Sequence, residues 1–329
     1  MITRIPADRQ DPAAPLSEPA HLLKHLDLAP DLRDGAERAA AAFRLRVPAS
    51  YLARIPPGRP DDPLLRQVLP TAAELDEVPG FVPDPLEERG RMPVPGLIHK
   101  YAGRVLLMLT GACPIHCRYC FRRHFPSTGT ATQRHWPAIL DYLRARPDVG
   151  EVILSGGDPL ALTDQRLVER IADLAGIDHL RVLRLHTRAP VVTPERITPA
   201  LLQGLGACPL QTVMVIHANH ARELDDPSRE GLDQLARRGV RLFNQAVLLR
   251  GVNDSVPALA DLSQALFDAG VQPYYLHLLD PVAGAGHFHV PETEAVTLMR
   301  DLAAHLPGYL LPRLVREIPG QPGKTPVHG

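Results

Sequence analysis

A chain of 329 residues with 45% hydrophobic composition has room for one α/β barrel of ~250 residues plus an extension. Its formal net charge of −1 gives no electrostatic case for nucleic acid or a membrane surface as partner. No apolar run reaches the ~18 residues a membrane helix needs, and residues 1–15 lack the apolar centre of a secretion signal.

Residues 1–95 are rich in proline and alanine. Leu22, Leu23 and Leu26 share one helical face, and Ala36 to Phe43 is helix-prone. Prolines at 56, 57, 60, 63, 70, 79, 83 and 85 keep later helices short. The region is predicted to be an N-terminal helical extension without chemistry of its own. From Arg104 the pattern is regular, with strand-like runs at 104–110, 151–155, 181–187, 211–217, 241–249 and 273–279. Helical spacing intervenes at Trp136, Ile139, Leu140, Leu143 and at Leu167, Val168, Ile171, Leu174, then near 228–238, 256–269 and 291–306. Six strands alternating with helices predict parallel βα units. No glycine-rich dinucleotide loop opens a helix. The fold class is therefore α/β: a partial, open (βα)6 TIM-like barrel over 96–315 and a C-terminal tail over 316–329.

Three of the four cysteines, Cys113, Cys117 and Cys120, fall directly after the first strand. Three thiolates on one loop suit an iron–sulfur cluster with one open iron, since an all-protein [4Fe–4S] site takes four. Zinc with His116 or His124 as fourth ligand, or three free thiols, are the alternatives. Cys208 reads as a small buried apolar residue. The other unusual residues sit at the same strand ends: Ser155-Gly156-Gly157-Asp158-Pro159, Thr187-Arg188, His217-Ala218-Asn219-His220, Arg250-Gly251 and Asp280. That is the face on which βα barrels carry their sites. Of 36 basic residues only Lys24, Lys100 and Lys324 are lysine, so a retained lysine hints at a place where an amine that can lose its proton is wanted.

The spacing of the cysteines, with Tyr119 before the last, resembles the radical S-adenosylmethionine (SAM) superfamily. The resemblance implies a [4Fe–4S] cluster on Cys113, Cys117 and Cys120, SAM on its open iron, and a cytoplasmic, reducing location. Gly156 and Gly157, with Ser155 and Asp158, resemble the glycine-rich segment whose bare backbone approaches SAM, and His217 and Gln245 join the cofactor-binding positions. Within that superfamily the chain resembles the lysine 2,3-aminomutases from Lys100 to Pro326, through CRYCFRRHF, SGGDPL, TRAPVV, HANH, NQAVLLRGVND, PYYLHLLD and PGQPGKTP. Those enzymes move an α-amino group to the β-carbon and also need pyridoxal 5′-phosphate (PLP). The resemblance makes Lys324 the catalytic, PLP-holding lysine and Arg104 a PLP phosphate contact. Arg122 would hold the substrate carboxylate, and Asp280 and Glu317 the distal ammonium of lysine.

Glu317 stands where the free-lysine mutases carry Asp, Gln321-Pro322 replace glycines, His289 replaces Arg, and the longer enzymes continue into a further C-terminal domain. These departures resemble the short-form branch that makes (R)-β-lysine for elongation factor P, with a separate ligase as consumer of the product. A free-lysine aminomutase and a non-catalytic metal-bearing module are the alternatives. A homo-oligomer is compatible with the sequence.

Overall fold

The six apolar runs become the spine of one sheet in the computed structural model, which describes residues 14–125 and 129–328. The segment read for a secretion signal lies almost wholly outside the described residues. Strand β1 (Leu97–Tyr101) forms a hairpin with β2 (Arg104–Thr110). Then follow β3 (Glu151–Gly156), β4 (Val182–Thr187), β5 (Gln211–Ile216), β6 (Arg241–Val247) and β7 (Gln272–His277), each parallel to the one before. A seventh parallel strand, β8 (Arg313–Arg316), pairs with β7, and β9 (Thr325–Pro326) turns back antiparallel on β8. The sheet therefore has strands beyond the six expected. β1, β8 and β9 are short and partly polar, and edge pairing holds them more than an apolar pattern does.

Strand order is strictly sequential from β1 to β9. Sequential order is the winding of a barrel, whereas a doubly wound sheet reverses part-way. No pairing joins β1 to β9 among the described residues, so the barrel stays open.

The crossovers are α3 (Trp136–Arg144), α4 (Asp164–Ala175), α5 (Pro199–Gly206), α6 (Asp226–Arg237), α7 (Val256–Asp268) and α8 (Glu292–Ala303), following α1 (Pro19–His25) and α2 (Leu32–Ala42) of the N-terminal region. The crossover helices α4 to α7 each begin on a side-chain N-cap. Leu167, Ile171 and Leu174 are the buried stripe of α4, whose N-cap Thr163 accepts from Arg166 N. Asp225 caps α6 in the same way through Ser228 N at 3.1 Å. With helices on the outside, strand residues such as Leu107, Leu154, Leu183 and Leu185 lose all contact with water. Each such side chain contributes about 1.5–3 kcal/mol.

The N-terminal region is part of the same core. Tyr51, Leu64, Leu65 and Val68 are fully buried within it. Arg54 Nη1 donates to the carbonyls of Val191 at 2.7 Å and Glu223 at 2.6 Å, and Ser50 Oγ donates to Val192 O at 2.7 Å. These bonds fasten the region to the segments following β4 and β5, at the site end of the barrel.

Candidate active site

A cavity of about 380 Å³ occupies the lumen of the barrel, from the cysteine loop after β2 down to Arg104 at the start of that strand. Cys113, Cys117 and Cys120 with Arg122, Ser155 to Asp158, His217 and Gln245, and Asp280, Glu317, Lys324 and Arg104 all line it. The open barrel brings them together from β2, β3 and β6 and from the loops that follow β2, β3, β5, β7 and β8.

The cysteine loop is shaped by the N-terminal region. Arg118, between two of the cysteines, is completely buried. It donates from Nε and Nη2 to the two oxygens of Glu74 at 2.8 and 2.6 Å, and its backbone N–H donates to Gln67 O at 2.9 Å. Burial pushes the Cys113 thiol up, and burial with the neighbouring Cys117 pushes Cys120 to about 11. Cys113 and Cys120 are thus held as thiols, and a metal would have to displace their protons. Neither His116 nor His124 lines the cavity. His116 Nδ1 sits 2.8 Å from Arg44 O with its ring stacked on Phe43, and His124 Nε2 sits 2.9 Å from Ala283 O. Among the described residues no set of three His, Cys, Asp or Glu side chains is already gathered at metal-ligand spacing. The donors on this wall are three thiols without a fourth cysteine, which fits a cluster with one iron left for another ligand.

The two glycines are demanded by the chain itself. A Cβ on Gly156 would lie 2.5 Å from Thr110 O, at a φ of +123°, and one on Gly157 would lie 2.2 Å from Ala112 O. The cysteine loop therefore rests on the bare end of β3. Asp158 is equally committed. Its oxygens accept from Leu160 N, Thr187 Oγ1, Arg188 N and Ala189 N at 2.7–3.2 Å, which fills the four lone-pair sites of a carboxylate. It clasps the ends of β3 and β4 and has no oxygen left to offer a ligand.

Three neutral imidazoles line the lumen. Burial, then nearby Arg188, Lys324 and Arg122, hold His217 down at about 3; burial first, and then neighbouring positive charge, holds His186 and His277 well below the usual range. His217 Nε2 pairs with Gln245 Nε2 at 2.9 Å. Nε2 of His186 and of His277 are buried with no hydrogen-bond partner among the described residues, so they fit a polar ligand in the lumen. His186 and His277 were not singled out in the sequence, though a lone histidine near the C-terminal end of an apolar strand run was a usable signal.

At the far wall Glu317, just after β8, accepts from Lys100 Nζ, from Tyr101 OH at 2.8 Å and from Lys324 Nζ at 3.2 Å. Burial alone would raise its carboxyl, but Lys324 and Lys100 outweigh it and bring the group to about 2. Asp280 is the opposite case: burial and the negative charge of Glu317 push it up to about 7. No hydrogen bond reaches its carboxylate among the described residues. The expected matched pair of acids is therefore asymmetric, with Glu317 already claimed by the protein's own cations and Asp280 open. Arg122 is held edge-on by Glu88, from Nε at 2.7 Å and Nη2 at 3.0 Å, and Nη1 is turned to Ser155 Oγ at 3.2 Å. Glu88 comes from the region expected to carry no chemistry, and no local pattern marked it. Arg104 makes no ion pair among the described residues; its guanidinium stacks over Tyr101 at 4.5 Å. An unpaired cation at the lower end fits an anionic group such as a phosphate.

Lys324 is fixed more firmly than a loose tail would allow. Arg316 and Thr325 pair across β8 and β9, and Val327 N donates to Leu314 O at 3.0 Å.

Comparison with known proteins decides what this assembly is. Residues 107–262 match the family model of the radical SAM superfamily. A protein of Escherichia coli (strain K12) named L-lysine 2,3-aminomutase is 49% identical over 95% of this chain and 92% of its own length. The chain belongs to the L-lysine 2,3-aminomutase family. Proteins of the same name from Haemophilus influenzae and Clostridium subterminale are 45% and 38% identical, over 94% and 93% of this chain and 92% and 74% of their own lengths. It is an aminomutase-type radical SAM enzyme, and the partial-barrel expectation agrees with that family. No helix among the described residues is long and apolar enough to cross a membrane.

Proposed function

We propose that this aminomutase converts (S)-α-lysine to (R)-β-lysine, with PLP, SAM and a [4Fe–4S] cluster held in the one cavity. The carrying observation is that three thiols, an unpaired arginine and a lysine amine line the same lumen. When bound, the cluster with SAM supplies the one-electron chemistry that breaks an unactivated C–H bond, and PLP supplies an electron-accepting ring. The protein's part is binding, orientation and charge. Cys113, Cys117 and Cys120 hold the cluster. Lys324, whose Nζ lies 3.2 Å from Glu317, would hold PLP, and Arg104 would take the phosphate. Arg122, with one edge fixed by Glu88, presents Nη1 to the substrate carboxylate. Asp280 takes the distal ammonium, which supplies the partner it lacks. Buried neutral His186, His217 and His277 keep that wall free of competing charge.

Glu317 in place of Asp supports the branch that supplies β-lysine for elongation factor P, as EpmB does. A ligase acting on elongation factor P is then the consumer of the product. Thiol ligands support a reducing, cytoplasmic setting.

The test is borohydride reduction of PLP-loaded protein followed by peptide mapping. A pyridoxyl adduct is expected at Lys324 and absent in Lys324→Arg, because arginine keeps the charge but cannot form an imine. An adduct at Lys100, which shares Glu317, would overturn the assignment. Conversion of α-lysine by reconstituted protein, with chiral analysis of the product, tests the substrate and its handedness.

A further inference from the structure

Behind the cysteine loop lies a buried polar cluster that the proposed reaction does not use. Its centre is Arg188, at the end of β4 and only 6% exposed. Nη1 donates to Cys117 Sγ at 2.7 Å, and Nη2 donates to Gln67 Oε1 and to Glu223 Oε2, both at 2.7 Å. Its backbone N–H is held by Asp158. The rings of Tyr51 and Tyr119 flank the guanidinium at 5.6 and 5.7 Å. Glu223 is completely buried and otherwise accepts from Gln67 Nε2 at 3.0 Å, Asn219 N at 2.9 Å and His220 N at 3.1 Å. An arginine clamped on both its charge and its planar faces has little freedom to turn away from the sulfur.

We propose that Arg188 is a positioning residue that sets the reduction potential of the cluster through its N–H donation to Cys117, with Glu223 as the counter-charge that limits the effect. A positive N–H donor on a ligating sulfur stabilises the more negative, reduced cluster, and hydrogen bonds to sulfur are among the levers that set such potentials. The inference rests on radical SAM membership and not on the lysine reading. It explains why a charged side chain is buried beside one cysteine of three, and why the N-terminal region contributes Gln67 there.

The test is the midpoint potential of the anaerobically reconstituted full chain, measured by spectroelectrochemistry without SAM, PLP or lysine. Arg188→Gln removes the positive charge and should shift the reduction equilibrium about tenfold towards the oxidised cluster, ~59 mV for a one-electron couple. Arg188→Lys keeps the charge and should shift it less, in the same direction. Glu223→Gln leaves Arg188 uncompensated and should move the potential the other way. Iron and sulfide content is measured alongside. If Arg188→Gln fails to bind iron, Arg188→Lys and Glu223→Gln carry the test by their opposite signs. Potentials that match the parent, or that move in one direction for both sites, would overturn the proposal. Because no lysine is present, that outcome is separate from a failure to rearrange lysine.

Discussion

Glu74 is the joint between the N-terminal region and the cysteine loop, and Glu74→Gln is the perturbation that weighs it. The carboxylate is 1% exposed and faces two arginines that are 0% and 2% exposed. Arg118 takes both oxygens, and Arg123 Nη2 takes Oε2 at 2.5 Å. Both guanidinium groups lie about the Phe43 ring, at 4.8 and 4.7 Å. Glutamine keeps the shape and one acceptor but leaves two buried positive charges without a counter-ion. Breaking a buried pair from one side costs about 3–5 kcal/mol. At about 2 °C per kcal/mol for a chain of this size, Tm of the cluster-free protein should fall by about 6–10 °C. Iron bound after anaerobic reconstitution should fall as well, because Arg118 sits between Cys117 and Cys120. Glu37→Gln is the control: its pair with Arg33 has side chains 47% and 62% exposed and should cost under ~0.5 kcal/mol. A Glu74→Gln protein that melts within 2 °C of the parent (about 1 kcal/mol) and binds iron fully would refute the claim that this ion cluster builds the loop.

Alanine at Cys113, Cys117 or Cys120 should abolish the ~400 nm absorbance of a thiolate-bound cluster, with SAM cleavage, while Cys208→Ala keeps both; an essential Cys208 would break the three-ligand reading. Asp280 is raised to about 7, above its unfolded value, so the folded protein favours its neutral form and loses stability as pH climbs from about 4 to 7. Asp280→Asn should therefore raise Tm at pH 8 and less so at pH 5. The gain is about 2 kcal/mol, half the value of the full shift because the group is only half-buried at the cavity wall. The same variant should weaken lysine binding and remove its decline below pH 7, and an unaltered pH profile would show that Asp280 does not meet the ammonium. Gly157→Ala puts a methyl group 2.2 Å from a backbone oxygen and should cost more than ~3 kcal/mol in denaturant unfolding; a neutral result would mean that the β3 end is not packed against the cysteine loop.

The sequence by itself determined the spine of this protein and the chemistry it carries. Apolar runs bounded by glycine and proline are local signals, and β2 to β7 fell on them within a few residues. Parallel βα units send all C-terminal strand ends to one side, so Cys113, Gly156, His217 and Asp280 were legible as neighbours without any coordinates. Tertiary structure alone decided which side chains oppose each other. Glu88 lies 34 residues from Arg122, and Lys100 lies 217 from Glu317; no periodicity spans such intervals. Glu74 and Gln67 carry ordinary polar side chains in a proline-rich region, and only burial beside arginine makes them structural. The unequal states of Asp280 and Glu317 have the same origin. Two acids with similar intrinsic pKa diverge because two lysines reach one of them and burial isolates the other.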